Sequence, residues 1–225
     1  MTWGRRLIRV GCVFLALALY ILPMLFQQLA ITYQFPKQWT IGLGLLLIFL
    51  TLLVFVVVAK KTGILSQSGK IFQKGDGKRI ALGLLGMLLI SILGTVLLRW
   101  LHGEVTTANQ ASLMEEFRRG DMISLPIMLG VLAPIAEEII FRGIIPLKIF
   151  KGYEGWGYIV GGLLFALFHG PTNIISFVIY GGAYVILTLL ACQTRRLEAS
   201  IAVHMLNNGL PAILMLLIAI FGVEV

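Results

Sequence analysis

The chain has 225 residues, 59% of them hydrophobic and only 12% charged, with a net charge of +8. Soluble domains run about 45–50% apolar and about 25% charged, so this composition excludes a soluble globular domain and reads as one polytopic membrane protein. The positive charge does not point to nucleic acid, because the Lys and Arg residues sit in short loops flanking apolar runs, where they orient the chain.

The first apolar run, Leu7–Leu29, follows Arg5-Arg6. It is long for a signal peptide and shows no small-x-small cleavage site after it, so it reads as an uncleaved first span. Further runs follow at Thr40–Ala59, Ile80–Leu98, Ile123–Ile145, Gly157–Gly170, Ile174–Cys192 and Ala199–Phe221. Most approach the ~20 residues that cross a bilayer. The fold class is therefore all-α, a polytopic transmembrane helix bundle of about 7–8 membrane helices. Residues 1–79 form two N-terminal spans and a basic cytoplasmic loop, and residues 80–225 form the remaining membrane core. The fifth run is short, with Gly161, Gly162 and Gly170, and Pro171-Thr172-Asn173 turns it into the sixth. Small residues let membrane helices approach closely, so this hairpin is expected inside the bundle.

With the N-terminus inside, the cytoplasmic side collects Arg5, Arg6, Arg9, Lys60, Lys61, Lys70, Lys74, Lys78, Arg79, Lys148, Lys151, Arg195 and Arg196. The other side keeps Lys37, Arg99, Arg118 and Arg119. That asymmetry sets the N-terminus cytoplasmic, in the plasma membrane if the source is bacterial. The loop from Lys60 to Arg79, with Gln67-Ser68-Gly69-Lys70, reads as a solvated linker that touches anionic lipid. In the outer loop Arg99–Met122, Glu115, Glu116, Arg118 and Arg119 stand at helical spacing and suggest a short interfacial helix. Cys12 and Cys192 lie in or at the end of apolar runs and imply neither a disulfide nor a nucleophile. No internal repeat suggests a transporter built from two halves.

Glu137, Glu138 and Arg142 lie inside the fourth run, His169 at the end of the fifth, and His204 and Asn208 in the seventh. A charge in hydrocarbon costs roughly 2.5–3.5 kcal/mol on insertion scales, so each intramembrane ionisable group needs a partner and a reason. On the helical rise, Glu137 lies about 16 Å from Lys148, His169 about 18 Å from Gly157, and His204 and Asn208 about 12 and 18 Å from Arg196. All four then fall in one slab. Glu138 and Arg142, at i,i+4, pair on one face. Glu137 is turned about 100° away and has no local cation, which makes His169 and His204 its available partners. Singly, each group has a structural reading: an ion pair, an interhelical hydrogen bond, an amide acting as glue. His102 reads as incidental. Together they supply two acids, two imidazoles and an amide, the groups that water-based peptide hydrolysis needs.

Glu137-Glu138-x-x-x-Arg142, then Phe165-x-x-x-His169, then His204-x-x-x-Asn208, in this order on apolar helices, resembles the CAAX prenyl protease and bacteriocin-processing (CPBP, or Abi) family of intramembrane proteases. The resemblance runs from Ser124 to about residue 213, and the first two spans lie outside it. It implies a peptide-bond hydrolase whose site lies in the membrane and opens toward the cytoplasm. Glu137 is then the base that activates water, assisted by His169. Glu138 and Arg142 form a supporting ion pair, and His204 and Asn208 donate to the tetrahedral oxyanion. Its substrate is a membrane-embedded or lipid-anchored protein or peptide, met in the lipid bilayer, and no nucleic acid is involved. No cofactor is favoured. The alternative is zinc on Glu137, His169 and His204, a His₂Glu set with an open fourth position. There is no His-Glu-x-x-His, no Gly-x-Ser-x-Gly, and the Gly75-Asp76-Gly77 pattern falls in a hydrophilic loop. Two readings compete with the protease: a non-catalytic self-immunity or scaffold protein, and a proton relay or transporter.

Overall fold

The structure, a computed structural model, describes residues 3–66, 72–119 and 123–221, with side chains from Arg9 onward. The Gln67–Lys70 stretch, Met122 at the end of the outer loop, and the side chains of Arg5 and Arg6 lie outside the described residues.

Among the described residues there are eight helices: α1 (Trp3–Thr32), α2 (Lys37–Lys61), α3 (Asp76–His102), α4 (Ala108–Arg119), α5 (Ser124–Ile149), α6 (Glu154–Phe168), α7 (Ile174–Thr194) and α8 (Glu198–Phe221). Six of them, α1, α2, α3, α5, α7 and α8, are long and apolar enough to cross a membrane. Helix α6 is apolar but has only 15 residues. The seven expected runs thus become six full-length spans and one short helix. The expected interfacial helix is α4.

Helix boundaries follow from local chemistry. Pro36 disfavours helix in Phe35 before it and leads into α2. Gly103 adopts φ +71° after α3, and its N–H bonds the Arg99 carbonyl, a left-handed C-terminal stop that a side chain resists. Asn173 caps α7 in a reciprocal box with Ser176. Within α5 the hydrogen-bond ladder widens to the π pattern over Met128–Leu132 and Glu138–Ile149. Pro134 and Pro146 lie in this helix and donate no N–H, and the wide turns accommodate rings that clash with a regular ladder.

Helix α5 is the centre of the bundle. Of its most apolar stretch 78% is buried, against 17% to 39% in the other five long spans. Helices α1, α6 and α8 pack on it, and α3 packs on α7 and α8. One apolar core joins Val13 and Ala16 of α1, Ile48 and Phe55 of α2, Leu132 and Ile139 of α5, and Phe165 of α6. The α6–α7 hairpin is therefore not the buried element that its glycines suggested. One stripe of α6 is buried, at Gly157, Gly161, Phe165 and Ala166, while Leu163, Leu164 and Leu167 face outward. At Gly161 a Cβ would meet the Phe141 carbonyl oxygen at 2.5 Å, so only glycine fits. Gly170 does a different job, turning the chain at φ +56° with open space around it.

Basic residues grouped on one side by the sequence do meet at one end of the bundle. Arg9 Nη1 donates to the Lys148 carbonyl at 2.7 Å, and Lys148 Nζ donates to the Thr62 carbonyl at 2.5 Å. At the same end Arg196 pairs with Asp76, and the Ser66 N–H donates to Glu198 at 2.6 Å.

Candidate active site

The i,i+4 spacing on α5 brings Arg142 Nη1 to 2.5 Å from Glu138 Oε1, with both side chains fully buried. A second acceptor holds the guanidinium, the Tyr184 carbonyl at 3.3 Å, and the Tyr184 ring lies 4.2 Å from its central carbon. Glu138 collects two further donors from α8: Ser200 Oγ reaches Oε2 at 2.8 Å, and His204 Nδ1 stands 2.9 Å from Oε1. A carboxylate so far from water needs this many donors, because unpaired it would cost several kcal/mol.

His204 joins the two acids. With Nδ1 on Glu138, its Nε2 faces Glu137 Oε2 at 3.7 Å, and the imidazole is 4% exposed. Since Glu138 accepts, Nδ1 carries the proton of that bond and Nε2 is the nitrogen left for chemistry. The two carboxyl oxygens of Glu137 have different fates. Oε1 accepts from the Tyr20 hydroxyl at 2.6 Å, and Oε2 is buried with no hydrogen-bond partner among the described residues.

His169 lies just past the end of α6 and is half-buried. Its Nδ1 bonds the Phe165 carbonyl at 2.8 Å, the i−4 oxygen that the helix end leaves open. That bond places the proton on Nδ1 and leaves Nε2 as an acceptor in the neutral ring. The imidazole stacks on Tyr180, with centroids 4.2 Å apart, and Tyr180 bonds Thr107 at 2.6 Å. Among the described residues the imidazole beside Glu137 is that of His204, and His169 connects to the same cluster through Phe165. That ring stands 4.6 Å from His169 and 6.3 Å from His204, with the Arg142 guanidinium carbon 5.1 Å away. Asn208 lies one turn beyond His204, half-buried, and its Oδ1 accepts from Asn207 Nδ2 at 3.1 Å. Its own NH₂ group is thereby left as the donor.

Two of the three named zinc ligands face each other across 3.7 Å, but the third, His169, is turned into the Phe165–Tyr180 stack. Among the described residues no three His, Cys, Asp or Glu side chains gather as a metal-holding set.

Four participants were not singled out from the sequence: Tyr20, Tyr180, Tyr184 and Ser200. Ser200 was legible, since Ser200, His204 and Asn208 continue one i,i+4 stripe along α8. Tyr20 was a lone hydroxyl in an apolar run, and tyrosine there usually finds a buried partner.

A family model for type II CAAX prenyl endopeptidases, Rce1-like, matches residues 120–210, which contain all six candidate site residues of the sequence reading. The UPF0177 protein YvdC of Lactococcus lactis is 30% identical over 189 residues, covering 83% of this chain and 70% of that protein. The membrane-embedded CAAX protease MroQ of Staphylococcus aureus is 34% identical over 95 residues, covering 39% of this chain and 38% of that protein. No solved structure matches. With its motifs on helices of an integral membrane bundle, the chain belongs to the CAAX prenyl protease and bacteriocin-processing family of intramembrane proteases.

Proposed function

We propose that this protein is an intramembrane endopeptidase that cuts membrane-embedded or lipid-anchored proteins or peptides with a water activated by Glu137. The observation that carries this reading is the free oxygen of Glu137. Among the described residues Oε2 is buried, has no hydrogen-bond partner and faces His204 Nε2 at 3.7 Å. A carboxylate placed only to lock helices would have both oxygens engaged, as Glu138 does.

In the reaction, a water proton passes to Glu137 Oε2 while the water oxygen bonds the scissile carbonyl carbon and the carbonyl electron pair moves to its oxygen. His169 Nε2, an acceptor in the neutral ring, helps hold the water. The oxyanion accepts from the Asn208 NH₂ group and from His204 when Nε2 carries a proton. With that proton, the two acids are balanced by Arg142 and an imidazolium, and the cluster is formally neutral. A positioned oxyanion donor is typically worth about 2.7–4 kcal/mol. Collapse of the intermediate returns the proton from Glu137 to the leaving amine. No metal takes part in this scheme, and chelators should leave activity unchanged. The substrate is either of CAAX type or a bacteriocin or pheromone precursor, and the N-terminus faces the cytoplasm.

The scaffold reading has one observation on its side: Glu137 also fastens α1 through Tyr20. Glu137→Gln separates the two readings, since the amide oxygen still accepts from Tyr20 but takes no proton from water. The test compares membrane and secreted peptide termini from cells carrying wild type or Glu137→Gln at matched protein levels. Termini unique to wild type are expected. Identical profiles with any host phenotype retained would leave the scaffold reading standing.

A further inference from the structure

The candidate base is held by a residue from outside the stretch that carries the family motifs. Tyr20, just past the middle of α1, donates its hydroxyl to Glu137 Oε1 at 2.6 Å. Its ring lies against Phe168, the residue before His169, with centroids 5.8 Å apart. The register of α1 on α5 does not depend on this bond. Arg9 Nη1 reaches the Lys148 carbonyl at 2.7 Å near one end of α5, and Gln27 Nε2 reaches Ser124 Oγ at 2.8 Å at the other. Tyr20 stands between these two anchors, opposite Glu137. Helix α1 is thus docked at both ends and presents one hydroxyl to the site between them.

We infer that Tyr20 is a positioning residue for the base: its hydroxyl occupies Oε1 and leaves Oε2, on the His204 side, to take the proton. This rests on the reading of Glu137 as the base. Tyr20 exchanges no proton in the step. The water proton goes to Oε2, the water oxygen bonds the carbonyl carbon, and the Tyr20 hydroxyl stays protonated and donates to Oε1 throughout. Without this bond, the carboxyl can turn either oxygen toward the water. Anchoring alone would make no such difference, because Gln27 and Arg9 supply it.

The test uses the full chain in lipid vesicles, as wild type, Tyr20→Phe, Gln27→Met and Glu137→Gln. Dicyclohexylcarbodiimide, an apolar carboxyl reagent, is added at neutral pH, and modification of Glu137 is read by peptide mass spectrometry. Tyr20→Phe should raise the modification rate about fivefold or more, because Oε1 loses the hydroxyl that occupies it, the scale of one lost hydrogen bond. Gln27→Met, which removes an anchor and not the site contact, should leave the rate at the wild-type level. On a membrane-anchored reporter carrying the cleaved sequence found by the termini comparison, Tyr20→Phe should lower kcat about tenfold at unchanged KM, a loss confined to the reacting state. Equal modification of wild type and Tyr20→Phe, or an equal rise in Gln27→Met, overturns the assignment of Tyr20 alone. Equal cleavage by wild type and Glu137→Gln overturns the protease reading and this role with it, whatever the labelling shows.

Discussion

His204 and His169 both lie near Phe165 and are held by different physics. His204 is 4% exposed, and its Nδ1 is committed to a carboxylate that also binds Arg142 and Ser200. His169 is half-buried at a helix end, held by a backbone carbonyl at 2.8 Å and by a ring stack on Tyr180. The first side is a closed set of charges, in which every member offsets another. The second is an uncharged shelf that can lose one contact without stranding a charge. The contrast teaches that identical side chains in one site need not be equally replaceable.

Breaking the charged side should have the largest effect. Arg142→Met strands Glu138 at 0% exposure with only His204 and Ser200 to meet it. Removing one partner of a buried ion pair costs about 3–5 kcal/mol. Thermal unfolding of the purified protein in detergent should show a large drop in Tm, together with poor yield of monodisperse material. An unchanged Tm would mean that the cluster is not what fastens α5 to α8.

The uncharged side should respond more weakly and in a graded way. Tyr180→Phe keeps the ring under His169 and removes only the hydroxyl bonded to Thr107, worth about 0.5–1.5 kcal/mol. Tyr180→Leu also removes the stack, an aromatic pair worth about 0.5–1.5 kcal/mol beyond its buried area. Reporter cleavage should survive in the Phe variant and fall several-fold in the Leu variant, whose Tm should lie a few degrees lower. Equal activity in both would show that the stack does not aim His169.

These two sides were unequally legible in the sequence. Period and apolar length placed the long helices, and i,i+4 spacing placed Glu138 with Arg142, because local geometry along one helix fixes both. The pairing of His204 with the two acids was not legible. Depth counting put both histidines in one slab, but which imidazole faces Glu137 depends on how α6 and α8 are rotated against α5, and that is set by packing between distant residues. Gly161 is such a determinant: its missing side chain admits the Tyr184 hydroxyl to the Phe141 carbonyl at 3.1 Å. Tyr20 was hidden for a related reason. It reaches Glu137 across 117 residues of chain, from a helix that the motifs do not include.

The smallest effect concerns α4, which lies outside the membrane-crossing helices and runs from the Tyr180 side toward α1. The helix begins next to Thr107, which holds Tyr180, and near its end Glu116 meets Gln28 of α1. Glu116 is buried, and its Oε1 has no hydrogen-bond partner among the described residues. Burial pushes its carboxyl above the usual range, and the Gln28 hydrogen bond offsets part of that rise. In the window between the ordinary carboxylate value and this raised one, the folded state holds more protons than the unfolded chain. Stability from this group is therefore full in acid and is lost as pH rises through the raised value. Glu116→Gln removes the ionisation and keeps a polar head of the same size. Its Tm should exceed that of wild type by a few degrees at pH 7 and coincide with it below about pH 4, the ordinary glutamate range. A Tm difference that does not change with pH would mean that the carboxyl in α4 ionises without regard to its burial. Reporter cleavage at pH 7 should stay at the wild-type level, because Thr107 and Tyr180 remain in place while the Gln28 end of α4 changes its charge.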